Sequence, residues 1–231
     1  MKRFWKDVAV ERSGDGWGIA LDGRPVRTPA RVRLAVPSEP LAKAIAGEWE
    51  AVAGTIDPRA MPLTGLANAA IDRIAPDIGM FADGLAKYAE GDLACYRADG
   101  PRELVEQQSR DWDTLLAWAR RRFDVDFATT SGIIHVDQPP ATVERLAHAV
   151  RSLDAFHLAG LSPLVTIGGA LIAAVAVLED ALSPVAAWDA VTLDDRWQAE
   201  QWGADAEAAA ALELRRADFM AAARFLELLG G

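Results

Sequence analysis

The stretch that decides the fold is "FWKDVAVERSGDGWGIALDG", residues 4–23. Apolar and polar residues alternate along it, which places Val8 and Val10 on one face of a first segment and Ile19 and Leu21 on one face of a second. Such alternation is typical of half-exposed β-strands. The glycine-rich "SGDG" separates the two segments, and the closing Asp-Gly pair favours a tight hairpin because both central residues of that turn need positive φ. The stretch therefore predicts antiparallel β-structure at the start of the chain.

The next residues extend this sheet and cover it with helices. "RPVRT" and "RVRLAV" supply further strands, and Ser38 is placed to cap a helix through "EPLAKAIAGEWEAV". Leu41, Ile45 and Trp49 recur at i+4 in that helix, so we expect them to pack on the sheet, with Trp49 in a structural role. "MPLTGLANAAIDRIA" carries a second apolar stripe at helical spacing, and Asn68 lies on its opposite face.

After "PDIG" the pattern becomes almost wholly helical, apart from a β-like passage, "VDFATTSGIIHV". The fold class expected is therefore α+β. A small antiparallel β-rich N-terminal domain with a β-meander and packed helices is predicted for residues 1–78. A larger, mainly α-helical C-terminal domain is predicted for residues 79–231.

One uncharged stretch, "LAGLSPLVTIGGALIAAVAVL" (residues 158–178), is about as long as a membrane span. Proline and glycine interrupt it, alanine makes up much of the rest, and no bias of Lys and Arg flanks it. These features favour a buried core helix, and we predict a protein that is not embedded in a membrane.

Composition narrows the classes of partner. The chain has 231 residues and a formal net charge of −10, whereas a nucleic-acid-binding protein needs a basic stripe. The one compact basic cluster, residues 120–122, ends a predicted helix, where cations suit the helix dipole. Cys95 is the only cysteine, and "MKRFWKDVAVER" has no apolar signal core. We therefore expect no binding to nucleic acid and a bacterial cytoplasmic location.

No motif in the sequence indicates catalysis. The three histidines form no HExxH pattern, and a single cysteine cannot build a cysteine-rich zinc site, so no metal is expected. Neither "GDGWG" nor "TIGGAL" matches a phosphate-binding or dinucleotide-binding loop, so no cofactor is expected. No GxSxG motif is present, and we predict no catalytic residue.

The most unusual segment is "LDDRWQAEQWGADAEA", residues 193–208, which places two tryptophans among carboxylates. Thr192 followed by Asp195 resembles a capping box, which predicts a helix over Leu193–Trp202. Gly203 either ends this helix or marks a close approach inside a longer one. Three interpretations remain open: a catalytic acid pair beside sugar-stacking rings, an ordinary amphipathic helix, and a surface that holds another protein.

Several ordered motifs make the chain resemble a known family. They are "KRFWKDV", "LDGRPVRTPAR", "MPLTGLANAAID", "DLACYRADGP", "QSRDWDTLLAWA" and "LDDRWQAEQWGADAEA". Together they resemble the assembly chaperones of the F-type ATP synthase that serve the α subunit of its catalytic head, in mitochondria and alphaproteobacteria. The pattern departs from the family at Ala69, where Thr is expected, and at Thr114, where Pro is expected.

The resemblance implies a chaperone and not an enzyme. Such a protein would bind the free α subunit and prevent its aggregation until it pairs with β. The eukaryotic members of the family would lie in the mitochondrial matrix. The residues we expect at the client are Glu200, Trp202, Asp205 and Glu207. Asn68 is a weaker candidate, because an amide in a buried turn can instead satisfy backbone groups.

Two functions of other classes remain as alternatives. One is a small hydrolase that uses paired carboxylates, Glu200 among them. The other is a constitutive scaffold or interaction protein. A hydrolase requires a deep pocket with convergent polar groups and shifted carboxylate pKa values, whereas a holding protein requires an open face of aromatic and acidic side chains.

Overall fold

The N-terminal sheet is built around one central strand. A computed structural model describes residues 2–203 and 205–230. In it β1 (Val8–Ser13) pairs antiparallel with β2 (Gly16–Leu21), and β3 (Arg24–Pro25) and β4 (Ala35–Val36) also pair antiparallel with β2. Asp22 and Gly23 form the β2–β3 turn with φ of 48° and 74°, as the predicted hairpin requires. The predicted antiparallel meander is confirmed.

The first helix covers this sheet. α1 (Glu39–Ala51) begins at Ser38, whose hydroxyl accepts a hydrogen bond from the backbone N–H of Leu41 at 3.2 Å. The apolar stripe of α1 is buried, and the ring of Trp49 meets the buried ring of Trp5 edge to face, with centroids 5.3 Å apart. The predicted cap and the structural role of Trp49 are therefore confirmed.

The second predicted helix changes its geometry part-way along. α2 (Pro62–Ala69) is followed by a π-helical turn, Ala70–Ile74, and a 3₁₀ turn, Ala75–Asp77. Two carboxylates fix this segment: Glu48 accepts the backbone N–H groups at the start of α2, and Asp72 accepts the Thr28 hydroxyl at 2.7 Å. The side chains of Thr64 and Asp72 therefore bind partners within their own unit.

The remaining chain is mainly helical, with one two-stranded parallel pair, β5 (Tyr96–Arg97) and β6 (Thr130–Ser131). The helices are α3 (Ile78–Ala86), α4 (Arg102–Phe123), α5 (Pro140–Arg151), α6 (Ala155–Gly168), α7 (Leu171–Leu178), α8 (Pro184–Val191), α9 (Leu193–Trp202) and α10 (Ala206–Leu229). Short 3₁₀ turns cover Pro58–Ala60, Lys87–Glu90 and Leu93–Cys95. The α+β fold class, with a small antiparallel sheet followed by a larger helical region, is confirmed.

The predicted β-like passage is much shorter in the structure. The β-like passage over residues 125–136 contributes only the two residues of β6, and Ile133 and Ile134 after it are 100% and 76% exposed. An apolar run forms a strand only where a partner edge lies within hydrogen-bonding reach, and this passage has one for two residues only.

The uncharged stretch is buried as predicted, but it is not one helix. It divides between α6 and α7, with a break at Gly169 and Ala170. The carboxylate of Asp92 accepts the backbone N–H of Ile172 at 2.8 Å, which satisfies a donor at the new helix start. Among the described residues, no helix is long and apolar enough to span a membrane.

The chain divides into two compact units. The first comprises Met1–Ile78, Asp154–Gly160 and Ala221–Gly231, and the second comprises Gly79–Leu153 and Leu161–Met220. The first unit has 12 basic and 12 acidic residues and the second has 12 and 22, so the net charge of −10 belongs to the second. The predicted domains, 1–78 and 79–231, stay a prediction as a statement about independent folding.

Candidate functional site

The tryptophan-rich acidic segment forms α9 and the start of α10, both in the second unit. α9 is fixed to α4 through Asp194, whose Oδ1 accepts a hydrogen bond from Gln108 Nε2 at 2.8 Å. The buried side chain of Leu193 begins the helix. The other face of α9 is left to carry exposed side chains.

The predicted capping box is wrong. Thr192 precedes α9, but its side chain caps no N–H of that helix; its hydroxyl donates to the Trp188 carbonyl at 2.7 Å. α8 ends at Val191, so the hydroxyl of Thr192 is used on the last turn of the preceding helix. Thr192 and Asp195 therefore do not form a capping box. The Asp195 carboxylate instead lies 3.5 Å from Arg215 Nη2.

Of the two roles left open for Gly203, the structure shows the break between two helices. Gly203 has φ of 84° and ψ of 153°, a conformation that side chains with a Cβ disfavour, and it ends α9. Asp205 then caps α10, because its Oδ2 accepts the backbone N–H of Ala208 at 3.0 Å. Glu207 lies in the first turn of α10, where the helix dipole favours a carboxylate.

The aromatic part of this segment is open to solvent. Trp202 is 74% exposed, and its ring meets the half-buried ring of Trp197 edge to face at 5.6 Å. From residue 206 to residue 218 every side chain of α10 is exposed except Leu212, which is half-buried, and Leu214 is 70% exposed. Trp202 is the one exposed tryptophan among the described residues, and tryptophan is enriched in surfaces that bind a partner protein.

The carboxylates of the segment are exposed as well. Glu200, Asp205 and Glu207 all lie at the surface. Within the described part of the chain, the side chains of Glu200 and Glu207 take part in no ion pair or hydrogen bond. We name the outward side chains of Glu200, Trp202, Asp205, Glu207 and Leu214 the α9–α10 surface.

A groove runs beside this surface, with a cavity volume of about 310 Å³. We name it the α9–α10 groove, and it is lined by Asp195, Gln198, Ala199, Trp202, Gly203, Asp205, Ala208, Ala209, Leu212 and Arg215. Apolar side chains line it together with the carboxylates of Asp195 and Asp205 and the guanidinium of Arg215. Sequence reasoning missed Asp195 and Arg215 as members of one site. The signal available was helical spacing, since Asp195, Ala199 and Trp202 recur at i, i+4 and i+7, as do Ala208, Leu212 and Arg215.

Asn68 belongs to the first unit, in α2, and is half-buried. Its Oδ1 atom is buried with no hydrogen-bond partner among the described residues. The amide oxygen therefore does not contribute to the expected contacts with turn backbone groups. A role for Asn68 at a client stays a prediction.

The second unit contains another cavity, which is separate from the α9–α10 groove. It measures about 570 Å³ and lies between the end of α4, α5 and α7. Its four charged lining side chains are paired: Arg122 with Glu179 at 2.5 Å, Arg145 with Asp124 at 2.9 Å, and Glu144 with Arg151 at 3.3 Å. His148 lines the same cavity.

The carboxylate whose pKa is most perturbed is outside that cavity. Burial raises the pKa of Asp92 to about 6, although backbone N–H groups from Ile172, Ala94 and Leu171 favour its ionised form. Asp92 precedes the 3₁₀ turn Leu93–Cys95, and its carboxylate has a structural role because it accepts a backbone N–H at the start of α7. Nor do residues 2–203 and 205–230 contain a cluster of three or more His, Cys, Asp and Glu side chains able to hold a metal ion.

Comparison with known proteins identifies the family. A model of the ATP12 chaperone protein family matches residues 2–120, about half of the chain. The chain belongs to the ATP12 chaperone family. This confirms the resemblance to ATP synthase assembly chaperones that the sequence motifs indicated, and it identifies the chain as a chaperone and not as an enzyme.

Relatives extend the match over the rest of the chain. "Protein atp12, mitochondrial" from Schizosaccharomyces pombe is 27% identical over 214 residues, which cover 87% of this chain and 74% of the relative. The crystal structure of Atp12 from Paracoccus denitrificans is 42% identical, with a TM-score of 0.95 over 99% of this chain and 98% of that one. The Atu1473 protein of Agrobacterium tumefaciens is 37% identical, with a TM-score of 0.94 over 99% of this chain and 86% of its own. The family model ends before α9, whereas the matches to the two solved structures cover 99% of this chain and extend over the α9–α10 surface.

Proposed function

We propose that this chain assists assembly of the F-type ATP synthase by binding the free α subunit of the catalytic head. In this proposal it prevents α from aggregating until α pairs with β. The observation that carries the proposal is the α9–α10 surface, where exposed Trp202 and Leu214 lie among exposed carboxylates of a unit whose net charge is −10. Family membership supports the chaperone role, and the partner is our inference.

The physical logic rests on the two kinds of side chain at this surface. Trp202 and Leu214 offer apolar area to the subunit surface that β later covers, and tryptophan is enriched among residues that dominate binding energy. The acidic side chains raise the rate of encounter with basic patches and discourage self-association of the chaperone. A binding partner that yields to β prevents aggregation by mass action without chemistry of its own.

Co-expression with the α subunit tests this proposal. We expect soluble α to increase severalfold when the wild-type chain is present. The double variant Glu200→Lys with Glu207→Lys should abolish the increase while its circular dichroism spectrum stays unchanged. A matched control is Glu90→Lys with Glu103→Lys, because these glutamates are also exposed, lie in the same unit and change the net charge equally. We expect the control to behave as the wild type.

Two results would contradict the proposal. If the amount of soluble α is the same with and without the chain, the client is not α. If both double variants abolish the effect equally, net charge and not the α9–α10 surface is responsible. We also expect purified ATP synthase to lack the chain, because a chaperone leaves the assembled complex whereas a constitutive scaffold remains bound.

We also propose a bacterial cytoplasmic location, where the lone cysteine stays reduced.

A further inference from the structure

The α9–α10 groove already contains a basic side chain. Asp195 and Asp205 supply its carboxylates, and among its described lining residues Arg215 is the cation. Ala199, Trp202 and Leu212 supply apolar surface beside these charges. The groove therefore presents a place for a cation next to a place for an apolar side chain.

The contact that Arg215 makes there is weak. A single distance of 3.5 Å joins Arg215 Nη2 to Asp195 Oδ2, and the two side chains are 49% and 52% exposed. Half-exposed ion pairs with one long contact contribute little, because water screens them and long side chains lose entropy. The backbone of neither acidic residue depends on Arg215, since Asp195 lies in the first turn of α9 and Asp205 caps α10.

We propose that Arg215 holds the position that a basic side chain of the client takes in the complex. The occupant of the α9–α10 groove is then a protein segment with an arginine or lysine next to an apolar side chain. Its cation replaces Arg215 at Asp195, and its apolar side chain packs on Trp202 and Leu212. Charge complementarity supports this occupant, because with Arg215 displaced the described lining of the groove keeps two carboxylates and no basic side chain. This inference rests on the proposed function, with the α subunit as the source of the segment.

A displaced internal cation would act as a competitor. While Arg215 stays at Asp195, client binding must first break that contact, and the apparent affinity is lowered accordingly. Because the contact between Arg215 and Asp195 is weak, Arg215 partly neutralises the groove in the free chaperone but does not block the client. Release of the client also becomes easier, since Arg215 can pair again with Asp195 when the client cation leaves.

Binding measurements on single variants of the full-length chain test the inference. Purified chain is titrated against α subunit kept soluble at low concentration. We expect Arg215→Gln to bind α about two- to fivefold more tightly than the wild type, because the competing contact is gone. Asp195→Asn should bind at least about fivefold more weakly, because the client cation loses its partner.

Arg216→Gln is the matched control. Arg216 is the next residue of α10, is 44% exposed, and makes a comparably weak contact of 3.7 Å with Glu213 outside the groove. Both glutamine variants change the net charge equally, so any difference between them comes from the groove. If Arg215→Gln binds α as Arg216→Gln does, or more weakly than the wild type, the inference is overturned while the proposed function stands. If the wild-type chain does not bind α, the proposed function and this inference both fail.

Discussion

The carboxylate of Glu48 in α1 accepts three hydrogen bonds from the start of α2, whereas the carboxylate of Glu200 in α9 is exposed and bonds to no described residue. The indole rings differ in the same way. Trp112 is 2% exposed and donates to the Ala190 carbonyl at 2.8 Å, whereas Trp202 is 74% exposed. The same residue types therefore hold the fold together in one region and remain available to a partner in the other.

This difference is not visible in local sequence. All four residues lie in helices with acidic and apolar neighbours, so helical spacing alone does not say which face is covered. An inward carboxylate is stabilising only where backbone N–H groups meet it. An outward carboxylate has little effect on the free energy of unfolding, and its charge can attract a partner over a long range. Four measurements sharpen or break the comparison.

The largest effect is expected at the inward indole. Trp112→Ala should lower the free energy of unfolding by about 3–5 kcal/mol, since it opens a cavity and leaves the Ala190 carbonyl without its donor. Trp202→Ala should lower it by less than about 1 kcal/mol, since only its contact with Trp197 is lost. Urea denaturation of both variants measures the difference. Equal losses would show that the α9–α10 surface is part of the core.

The second effect is expected at the inward carboxylate. Glu48→Ala should cost about 2–4 kcal/mol of unfolding free energy, because the buried Leu63 and Thr64 N–H groups lose their acceptor. Glu50→Ala, two residues along and exposed, should change it by less than about 0.5 kcal/mol. Chemical denaturation measures both. A cost at Glu48 no greater than at Glu50 would mean that water replaces the carboxylate at the start of α2.

The third effect depends on pH. The folded-state pKa of Asp92, about 6, lies above the ordinary value of 3.8, so the folded chain holds this proton more tightly than the unfolded chain. The resulting stabilisation is complete below pH 4 and is lost as the pH rises through 6. Relative to Asp92→Asn, the wild-type free energy of unfolding should fall by about 2–3 kcal/mol between pH 4 and pH 7.

Asp22 supplies a control of opposite sign for this titration. Its pKa is lowered, chiefly because its carboxylate accepts the backbone N–H groups of Asp7 and Lys6. Its stabilisation is therefore present above the ordinary carboxyl pKa and is lost as the pH falls through the lowered value. Relative to Asp22→Asn, wild-type stability should decrease at acidic pH. The same trend at both positions would refute the assignment of Asp92 as a buried, unfavourably ionised carboxyl.

The smallest effect on stability is expected at the outward carboxylates. Glu200→Gln with Glu207→Gln should change the unfolding free energy by less than about 0.5 kcal/mol, since neither side chain has a described partner. The same variant should weaken binding of the α subunit, with the loss largest at low salt, where charge attraction is least screened. Thermal denaturation and titrations at two salt concentrations measure the two quantities. A stability loss comparable to that of Glu48→Ala would show that these carboxylates support the fold.

Part of the fold could be predicted because short-range chemistry decides it. The Asp22–Gly23 turn and the Ser38 cap each depend on one or two residues whose backbone preferences are strong. Predictions failed where a distant partner decides the outcome. Residues 125–136 lack a strand partner over most of their length, and the Thr192 hydroxyl bonds to the preceding helix, which no spacing rule anticipates.

The client-binding role of the selected residues stays a prediction, and the structure reports only how they are arranged and exposed. Glu200, Trp202, Asp205 and Glu207 were selected from one segment, and the structure exposes all four. The groove needed Arg215, seven residues beyond the quoted segment, to come back beside Asp195 across the turn at Gly203. The return path of α10 is set by the burial of Phe219 and Phe225 in its second half, which local patterning does not locate.

The sequence by itself determined the class of fold, the family and the chemical character of the α9–α10 segment, because strand alternation, turn residues and ordered motifs are properties of neighbouring residues. Only the tertiary structure decided that α6 and α7 are separate helices, that residues 154–160 and 221–231 join the first unit, and which carboxylates face inward. Those outcomes depend on which surfaces exclude water together, and burial is a property of the whole packed chain.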